Sequence, residues 1–406
     1  MLKIGALEAL PLVQGGMGVG VSAHRLAGAV AREGCVGTIS SVDLRRHHPD
    51  LMRATGRSRD RGAIEQANLT ALEREIHAAR EVSGGRGMIA VNVMRAGSQY
   101  GAYVRQACES GADAIVVGAG LAMDLPELAR DFARVALVPI VSEARAASLI
   151  VRRWLRRGRA PDAIVIEHPR YAGGHLGAAQ VEEVSEARFD FTRVVPEIRA
   201  ALHAQGLDAD RIPLIAAGGI NSPERVAAAR AAGADAVQVG TAFAVTEECD
   251  AHPNFKRVLA EAGPQDITVF MSVAGLPARA VRTPWLAGYL EKLDTLKRRA
   301  RKRGCTLAWE CLAQCGLRDG NPNMGQFCID HHLAAALRGD VEHGLFFRGS
   351  ESVPFGAAIR PVRELIDLLL ARAGLTPVNA IAAESAKMTP CTSFSGSRRS
   401  TSAVSS

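Results

Sequence analysis

Eight short apolar runs, spread over residues 10–243, constrain the fold of this chain more than any other feature. Each run is rich in β-branched residues, ends in glycine or a polar residue, and precedes an alanine-rich segment of helical character. Because the runs are almost continuously apolar and do not alternate with polar residues, they are typical of parallel strands buried on both faces. The runs are Leu10–Gly16, Val36–Ser40, Met88–Met94, Ala114–Gly120, Ala136–Ser142, Ala163–Pro169, Pro213–Gly219 and Ala236–Phe243.

Eight consecutive β-α units predict a (β/α)8 TIM barrel. A doubly wound parallel sheet is the alternative, because a miscounted strand would turn one pattern into the other. We expect residues 1–263 to form the barrel and residues 264–370 to form a helical extension packed on it, with no buried strand after Phe243. Residues 371–406 form a tail rich in serine and threonine, which has little to bury and is predicted to be mostly disordered.

Composition excludes several classes of protein. The 406 residues are 48% hydrophobic, and the net charge of +7 arises from 49 basic and 42 acidic residues spread along the chain, so nucleic-acid binding is not indicated. No apolar stretch approaches the roughly 18 residues of a membrane span, and the N-terminus has no signal-peptide pattern. The eight cysteines do not resemble a disulfide framework. We therefore expect a cytoplasmic protein without membrane or nucleic-acid partners.

The ends of the seventh and eighth runs carry the clearest binding signal. Gly218 and Gly219 precede Asn221-Ser222-Pro223, a helix start with a capping residue and proline at the first helical position. Adjacent glycines allow close approach of a ligand, and a helix N-terminus offers free N–H groups to an anion. Gly240 and Thr241 end the neighbouring run, and these two loops form the usual phosphate site of the fold. Tight turns without a ligand are the alternative interpretation.

A histidine among glycines follows the sixth run, in the segment Ala172–Gly177 (AGGHLG). The glycines let the backbone approach a planar cofactor and leave the His175 imidazole projecting into the barrel mouth. A neutral imidazole there can remove a proton from carbon or hydrogen-bond an oxyanion, since its reference pKa of about 6.5 lies near working pH.

The end of the first run, Gln14–Gly20, contains four glycines, on which a flat ring can rest with Met17 as a soft contact. This segment is not a dinucleotide fingerprint, because the third glycine and the acidic residue are not placed as that motif requires. Asn92, in the third run, supplies a polar strand end nearby.

Four cysteines, Cys305, Cys311, Cys315 and Cys328, lie close in sequence within the extension. Their spacing lacks the C-x2-C knuckle that makes a zinc prediction strong, so packing or reactive thiols are favoured over a metal, and no metal ligands are predicted.

Taken together, six ordered motifs resemble the flavin-dependent nitronate monooxygenase family, also called 2-nitropropane dioxygenases, which includes similar flavin-dependent enoyl-acyl-carrier-protein reductases. The resemblance covers roughly residues 10–290. The motifs are PLVQGGMGVGVS, VNVM, VVGAGL, AGGHLG, AAGGINSPE and VQVGTAFAVTEECD.

This resemblance implies a TIM barrel that binds FMN noncovalently. It places the phosphate on Gly218, Gly219, Gly240 and Thr241, the ring near Met17, Asn92 and Gly174, and Gly16 and Glu167 among the further cofactor contacts. His175 falls on the family's catalytic histidine, which acts as a base or positions the substrate against the flavin.

The reaction implied is oxidation of an alkyl nitronate with electron transfer to FMN and then reaction with O2. An NAD(P)H-dependent flavin reductase acting on enoyl thioesters or quinones is the alternative. A barrel that binds a phosphorylated ligand without turnover is a third hypothesis. The expected partners are a small-molecule substrate and O2, with NAD(P)H and a homodimer left open.

Overall fold

A computed structural model describes residues 1–371 of the chain. Eight parallel strands close into a barrel in which each strand pairs with the next along the chain and the last pairs with the first. The eight predicted strands are confirmed, and closure excludes the doubly wound sheet. The strands are β1 (Leu12–Gln14), β2 (Val36–Ser40), β3 (Met88–Met94), β4 (Ala114–Gly118), β5 (Ala136–Val141), β6 (Ile164–Glu167), β7 (Leu214–Ala217) and β8 (Ala236–Val239).

Helices cover the outside of the barrel. The predicted helix after β7 is confirmed, since it begins at Pro223 and the Ser222 side chain accepts a hydrogen bond from the backbone N–H of Arg225. The α-helices of this layer are His24–Arg32, Pro49–Thr55, Arg61–Ser83, Tyr100–Glu109, Leu125–Leu128, Ala144–Leu155, Phe191–His203, Pro223–Ala231, Thr241–Ala244 and Pro253–Glu261. Short 3-10 helices span Leu44–His47, Glu182–Ser185, Ala187–Phe189, Ala209–Arg211 and Pro264–Asp266.

An N-terminal hairpin closes one end of the barrel. Its strands, Leu2–Ile4 and Leu7–Ala9, pair antiparallel. Leu2 and Ile4 are buried in the same apolar cluster as the inward-facing strand residues, such as Met88. Because the interior is filled from this side, a ligand can enter only where the strands end.

The segment after the barrel lies over the open end. It contains the helices Pro284–Glu291, Leu293–Arg298, Gly316–Asp319, Ile329–Leu337 and Val362–Ala371. Most of these helices surround a small core of their own that includes Phe270, Phe327 and Leu345, against which Met94 of β3 packs. The last helix packs its leucines on the barrel wall beside Leu26 and Val226.

The expectation that no buried strand follows Phe243 is wrong. Strands Ile267–Met271 and Pro277–Val281 form an antiparallel pair, and the second of them is buried along its whole length. A third strand, Gly174–His175, adds to the pair through Gly174 opposite Arg279 and His175 opposite Ala278. The second strand, PARAV, gives a weak β signal because it contains proline and two alanines, whereas the first, ITVFM, does carry a β signal that the helical prediction did not take into account. The predicted disorder of the tail concerns residues that, from 372 onward, lie outside the described part of the chain.

Candidate active site

The carboxyl ends of the strands surround a cavity of about 300 Å3. All ten residues predicted from the sequence line it, on the ends of five different strands and the loops that follow them. They are Gly16, Met17, Asn92, Glu167, Gly174, His175, Gly218, Gly219, Gly240 and Thr241. A cavity with a few convergent polar groups at this end of a barrel is the usual place of an active site.

Two glycines after β7 form a turn that other residues would not tolerate. Gly218 and Gly219 have φ of +99° and +73°, in the region that glycine adopts without strain. A Cβ on Gly219 would lie 2.7 Å from the Cβ of Tyr171, so the backbone here is also closely packed. The nine-residue helix that starts at Pro223 follows directly, with its N-terminus toward this turn.

At the end of β8, Thr241 is bound by a segment that the sequence analysis did not consider. The backbone N–H of Gly349 donates to the Thr241 hydroxyl at 3.0 Å, and the Asn221 amide donates to the carbonyl of Ser352 at 2.7 Å. The segment 348–352 therefore covers both strand ends. Because the Thr241 oxygen acts as an acceptor, its own proton remains available to an anionic ligand.

The ends of β1 and β3 pack closely against each other at the cavity. A Cβ on Gly16 would lie 2.3 Å from the Cβ of Asn92, so only glycine fits between these strands. Asn92 donates its amide to the carbonyl of Val116 at 3.3 Å, which leaves its side-chain oxygen without a donor among residues 1–371. The Met17 sulfur lies 3.9 Å from the position of a Cβ on Gly240, so this surface continues to β8.

His175 lies in the strand that adds to the extension's sheet, which fixes its backbone. Its ring meets Phe347 edge to face, with centroids 5.6 Å apart. The Nε2 atom is buried and has no hydrogen-bond partner within the described residues. Burial lowers the pKa of His175 to about 4, so the imidazole is neutral at neutral pH and offers one unused nitrogen to a ligand.

Glu167 and Arg279, which lies opposite Gly174 in the small sheet, influence each other electrostatically. Burial raises the pKa of Glu167 to about 7, although the positive charge of Arg279 acts in the opposite direction. Burial likewise lowers the pKa of Arg279 to about 10. The Arg279 guanidinium donates to the carbonyl of Pro169 at 2.9 Å and to that of Ala172, and so holds the loop that leads to His175.

The extension supplies several cavity residues that sequence reasoning missed, among them Trp309, Asp330, Phe347, Arg348 and Gly349. Only Arg348 and Gly349 had a recognisable sequence signal, because a glycine beside polar residues is the same pattern that marks the strand ends. The others look like ordinary core or surface residues in the sequence.

The four clustered cysteines are free thiols, and Cys311 lines the cavity. Within residues 1–371, no three His, Cys, Asp or Glu side chains are grouped so that they could hold a metal ion. In the same part of the chain, every helix is too short or too polar to cross a bilayer.

Comparison with known proteins identifies the class. The family model described as nitronate monooxygenase matches residues 2–372, so the chain belongs to this family of flavin-dependent oxidoreductases. A probable nitronate monooxygenase of Bacillus subtilis is 32% identical over 140 residues, which are 34% of this chain and 38% of that protein.

Two further relatives extend the comparison. A (3aS,4S,5R,7aS)-5-hydroxy-7a-methyl-1-oxo-octahydro-1H-indene-4-carboxyl-CoA dehydrogenase of Rhodococcus jostii is 29% identical over 192 residues, 46% of this chain and 47% of that protein. The match thus spans less than half the length of either curated relative. The solved structure of FabK from Thermotoga maritima has a TM-score of 0.63 at 23% identity, covering 94% of this chain and 96% of that one, and shares the fold.

Proposed function

We propose that this protein is an FMN-dependent enzyme that oxidises alkyl nitronates in the presence of O2. The observation that carries the proposal is the convergence of ten residues, chosen from sequence motifs, on one cavity at the carboxyl ends of the strands. The family match and the similarity to a probable nitronate monooxygenase support the choice of substrate. We propose a small-molecule substrate and O2 as partners, and the cytoplasm as the location.

The end of the cavity at β7 and β8 suits the phosphate of FMN. Gly218 and Gly219 leave the backbone bare, the helix that begins at Pro223 presents N–H groups, and Thr241 has a free hydroxyl proton. A dianion at such a helix N-terminus is stabilised by the dipole as well as by hydrogen bonds. Glu351 also lines the cavity at this end, and a free carboxylate there would repel a phosphate. It is instead paired with Arg225 at 2.6 Å, which balances its charge.

The closely packed surface at the ends of β1 and β3 suits the isoalloxazine ring of FMN. Gly16, Met17, Asn92 and Gly174 present backbone, a thioether and an amide oxygen to the cavity. Glu167, whose pKa is raised to about 7 by burial, is partly protonated at neutral pH and can donate a hydrogen bond. FMN bound here would supply the redox chemistry, accepting an electron from the substrate.

His175 would hold the substrate over the ring. A base works best when its pKa lies near the working pH, and a pKa of about 4 makes His175 a weak base toward carbon acids. A nitronate has already lost that proton. The unpartnered Nε2 can instead donate a hydrogen bond to a nitronate oxygen when the ring carries its proton there. We therefore assign His175 chiefly to substrate positioning.

An NAD(P)H-dependent flavin reductase acting on enoyl thioesters is the second candidate. It is favoured by the relative from Rhodococcus jostii, which acts on a CoA thioester and matches a longer stretch of the chain than the Bacillus subtilis relative does. The two functions require the same cofactor site and differ in the electron donor.

Anaerobic reduction of the FMN-loaded protein separates them. Propyl-2-nitronate, NADH and NADPH are mixed with the protein side by side, and bleaching of the flavin absorption is followed. Fast bleaching by the nitronate alone supports nitronate oxidation. Fast bleaching by NADH or NADPH with no response to the nitronate supports the second candidate, and a colourless protein that takes up no added FMN refutes both.

A further inference from the structure

Six residues that line the cavity have a buried polar atom with no partner within the described residues; Ser41, Gln99 and His175 are three of them. The other three, which we consider together, have the unpaired atom in the Tyr103 hydroxyl, the Trp309 indole nitrogen and Oδ1 of Asp330. All three residues line the cavity, and their exposed fractions are 5%, 2% and 1%. An unpaired buried polar group costs about 1–3 kcal/mol, so three such groups on residues that line one space indicate a ligand that pairs with them.

These atoms lie away from the proposed phosphate site. Tyr103 is on the helix that follows β3, and Asp330 is tied to the loop that follows β2 through Arg46. In the closed barrel, β2 and β3 are separated from β7 by β8 and β1. The polar atoms therefore belong to a different part of the cavity and are not needed for the phosphate.

Asp330 is held so that one oxygen remains free. Its Oδ2 accepts a hydrogen bond from the Arg46 guanidinium at 2.7 Å, and Arg46 also pairs with the buried Asp43. Asp43 in turn pairs with Arg45 at 2.8 Å. Two arginines thus face two carboxylates. Because burial and the neighbouring Asp330 raise the pKa of Asp43, the group carries no net negative charge that would call for a cationic ligand.

The chemistry of the three atoms defines what they can bind. Oδ1 of Asp330 accepts, the Trp309 nitrogen donates, and the Tyr103 hydroxyl does either. A carboxylate on the ligand would be repelled by Asp330. The cavity lining also includes apolar side chains, among them Leu312, Leu333 and Phe347, which suit a hydrocarbon body.

We propose that Tyr103, Trp309 and Asp330 form a subsite for an uncharged substrate group that both donates and accepts hydrogen bonds, such as a hydroxyl or a carboxamide. The substrate is then an apolar chain or ring with the reacting carbon at one end and this group at the other. The proposal rests on the proposed function for the identity of the reacting end only.

The test compares ω-hydroxy nitroalkanes of increasing chain length with their counterparts that lack the hydroxyl and with ω-carboxylates. Turnover of the nitronates is measured as kcat/KM, and binding of the neutral nitroalkanes to the FMN-loaded protein is measured by calorimetry. At the best chain length, the hydroxyl should improve both kcat/KM and Kd by about tenfold or more, since one or two hydrogen bonds are gained, and the carboxylate should remove the gain.

Two variants locate the effect. Tyr103→Phe removes only an unpaired hydroxyl, so the protein should fold, and the preference for the hydroxylated ligand should fall severalfold. Trp309→Phe should do the same through loss of the indole donor. Tyr100→Phe is the matched control, because Tyr100 lies on the same helix, is 5% exposed like Tyr103, and is not among the cavity residues. It should keep the full preference.

The outcomes separate this inference from the proposed function. If nitronates are oxidised but the hydroxyl brings no gain at any chain length, the subsite is refuted and the function stands. If no nitronate is oxidised but binding shows a hydroxyl preference that Tyr103→Phe removes, the function is refuted and the subsite stands. A preference unchanged in both Tyr103→Phe and Trp309→Phe also refutes the subsite.

Discussion

The two sides of the cavity recognise ligands by different means. On the side of β7 and β8, the backbone does most of the work through Gly218, Gly219 and a helix N-terminus, with Thr241 as one added hydroxyl. On the side of β2 and β3, three side chains from separate parts of the chain, Tyr103, Trp309 and Asp330, present the polar atoms.

The difference follows from what each side would bind. A phosphate needs several N–H donors close together, and a glycine turn before a helix supplies them from consecutive residues. A small uncharged group needs one donor and one acceptor at a chosen angle, and only side chains brought from different directions supply these. The first site can be reused by any enzyme with the same cofactor, whereas the second can vary with the substrate.

The largest expected effect is loss of the cofactor in Gly219→Asp. The carboxylate would stand against the phosphate, and a side chain at φ +73° would also press on Tyr171. We expect a folded protein that purifies colourless and does not take up FMN, measured by absorbance after dialysis. The matched control is Gly206→Asp, since Gly206 has φ +77° but open space around it. If Gly219→Asp binds FMN as well as the control does, the phosphate lies elsewhere.

His175→Ala should keep FMN and lose about 10- to 100-fold in kcat/KM for a nitronate, because one hydrogen bond to the substrate is removed. An imidazolium also carries a proton on Nε2, so this donor role predicts no fall in rate from His175 as the pH drops through about 4, its lowered pKa. A fall there that vanishes in the variant would instead indicate that His175 acts as a base. His203→Ala, at an exposed helix end, is the control. An unchanged rate in His175→Ala would remove the histidine from the mechanism.

The same lowered pKa affects stability. Because the unfolded chain holds a histidine of pKa about 6.5, it binds a proton more readily than the folded state does between that pH and about 4. The contribution of His175 to stability is therefore full above about pH 6.5 and declines as the pH falls toward 4. His175→Ala should flatten this part of the curve of Tm against pH.

Arg279→Met should have a smaller effect on turnover, about tenfold, because the loop before His175 loses its tie while the histidine remains. The carbonyls of Pro169 and Ala172 lose their donor, which should cost about 1–3 kcal/mol in the free energy of unfolding. Loss of the positive charge should raise the pKa of Glu167 further above its usual range. If the protonation of Glu167 affects the rate, the change in rate that occurs near neutral pH in the wild type should move to higher pH in the variant.

Arg279→Lys keeps the positive charge, so the change in rate near neutral pH should return to its wild-type position. Only part of the rate should be recovered, because lysine does not reproduce the hydrogen bonds of the guanidinium to Pro169 and Ala172. Arg282→Met is the control for the nearby chain, since the Arg282 side chain is exposed. A rate and a pH profile unaffected by Arg279→Met would show that the extension merely covers the barrel.

Much of the barrel was predictable because its signals are local. A buried parallel strand is a short apolar run, and the turn after it needs glycine or a polar residue, so both are written in consecutive residues. Most of the ten predicted cavity residues follow from the same rule, because the carboxyl ends of all strands meet at one side, whereas Glu167 was implied only by the family resemblance. In the extension, the strand Ile267–Met271 does carry a local β signal, but Pro277–Val281 does not, because it contains proline and two alanines. The pairing of Pro277–Val281 with Gly174–His175 joins segments about a hundred residues apart, which no local pattern records.

By itself, the sequence determined the eight strands, the glycine turns and the position of His175 at the barrel mouth. Only the tertiary structure decided that Arg279 braces the histidine loop, that residues 348–352 cover the phosphate end, and that Asp330 reaches the cavity with one oxygen free. The physical reason is that buried charges and unpaired polar atoms are defined by what surrounds them. Their surroundings come from distant parts of the chain, which no local pattern records.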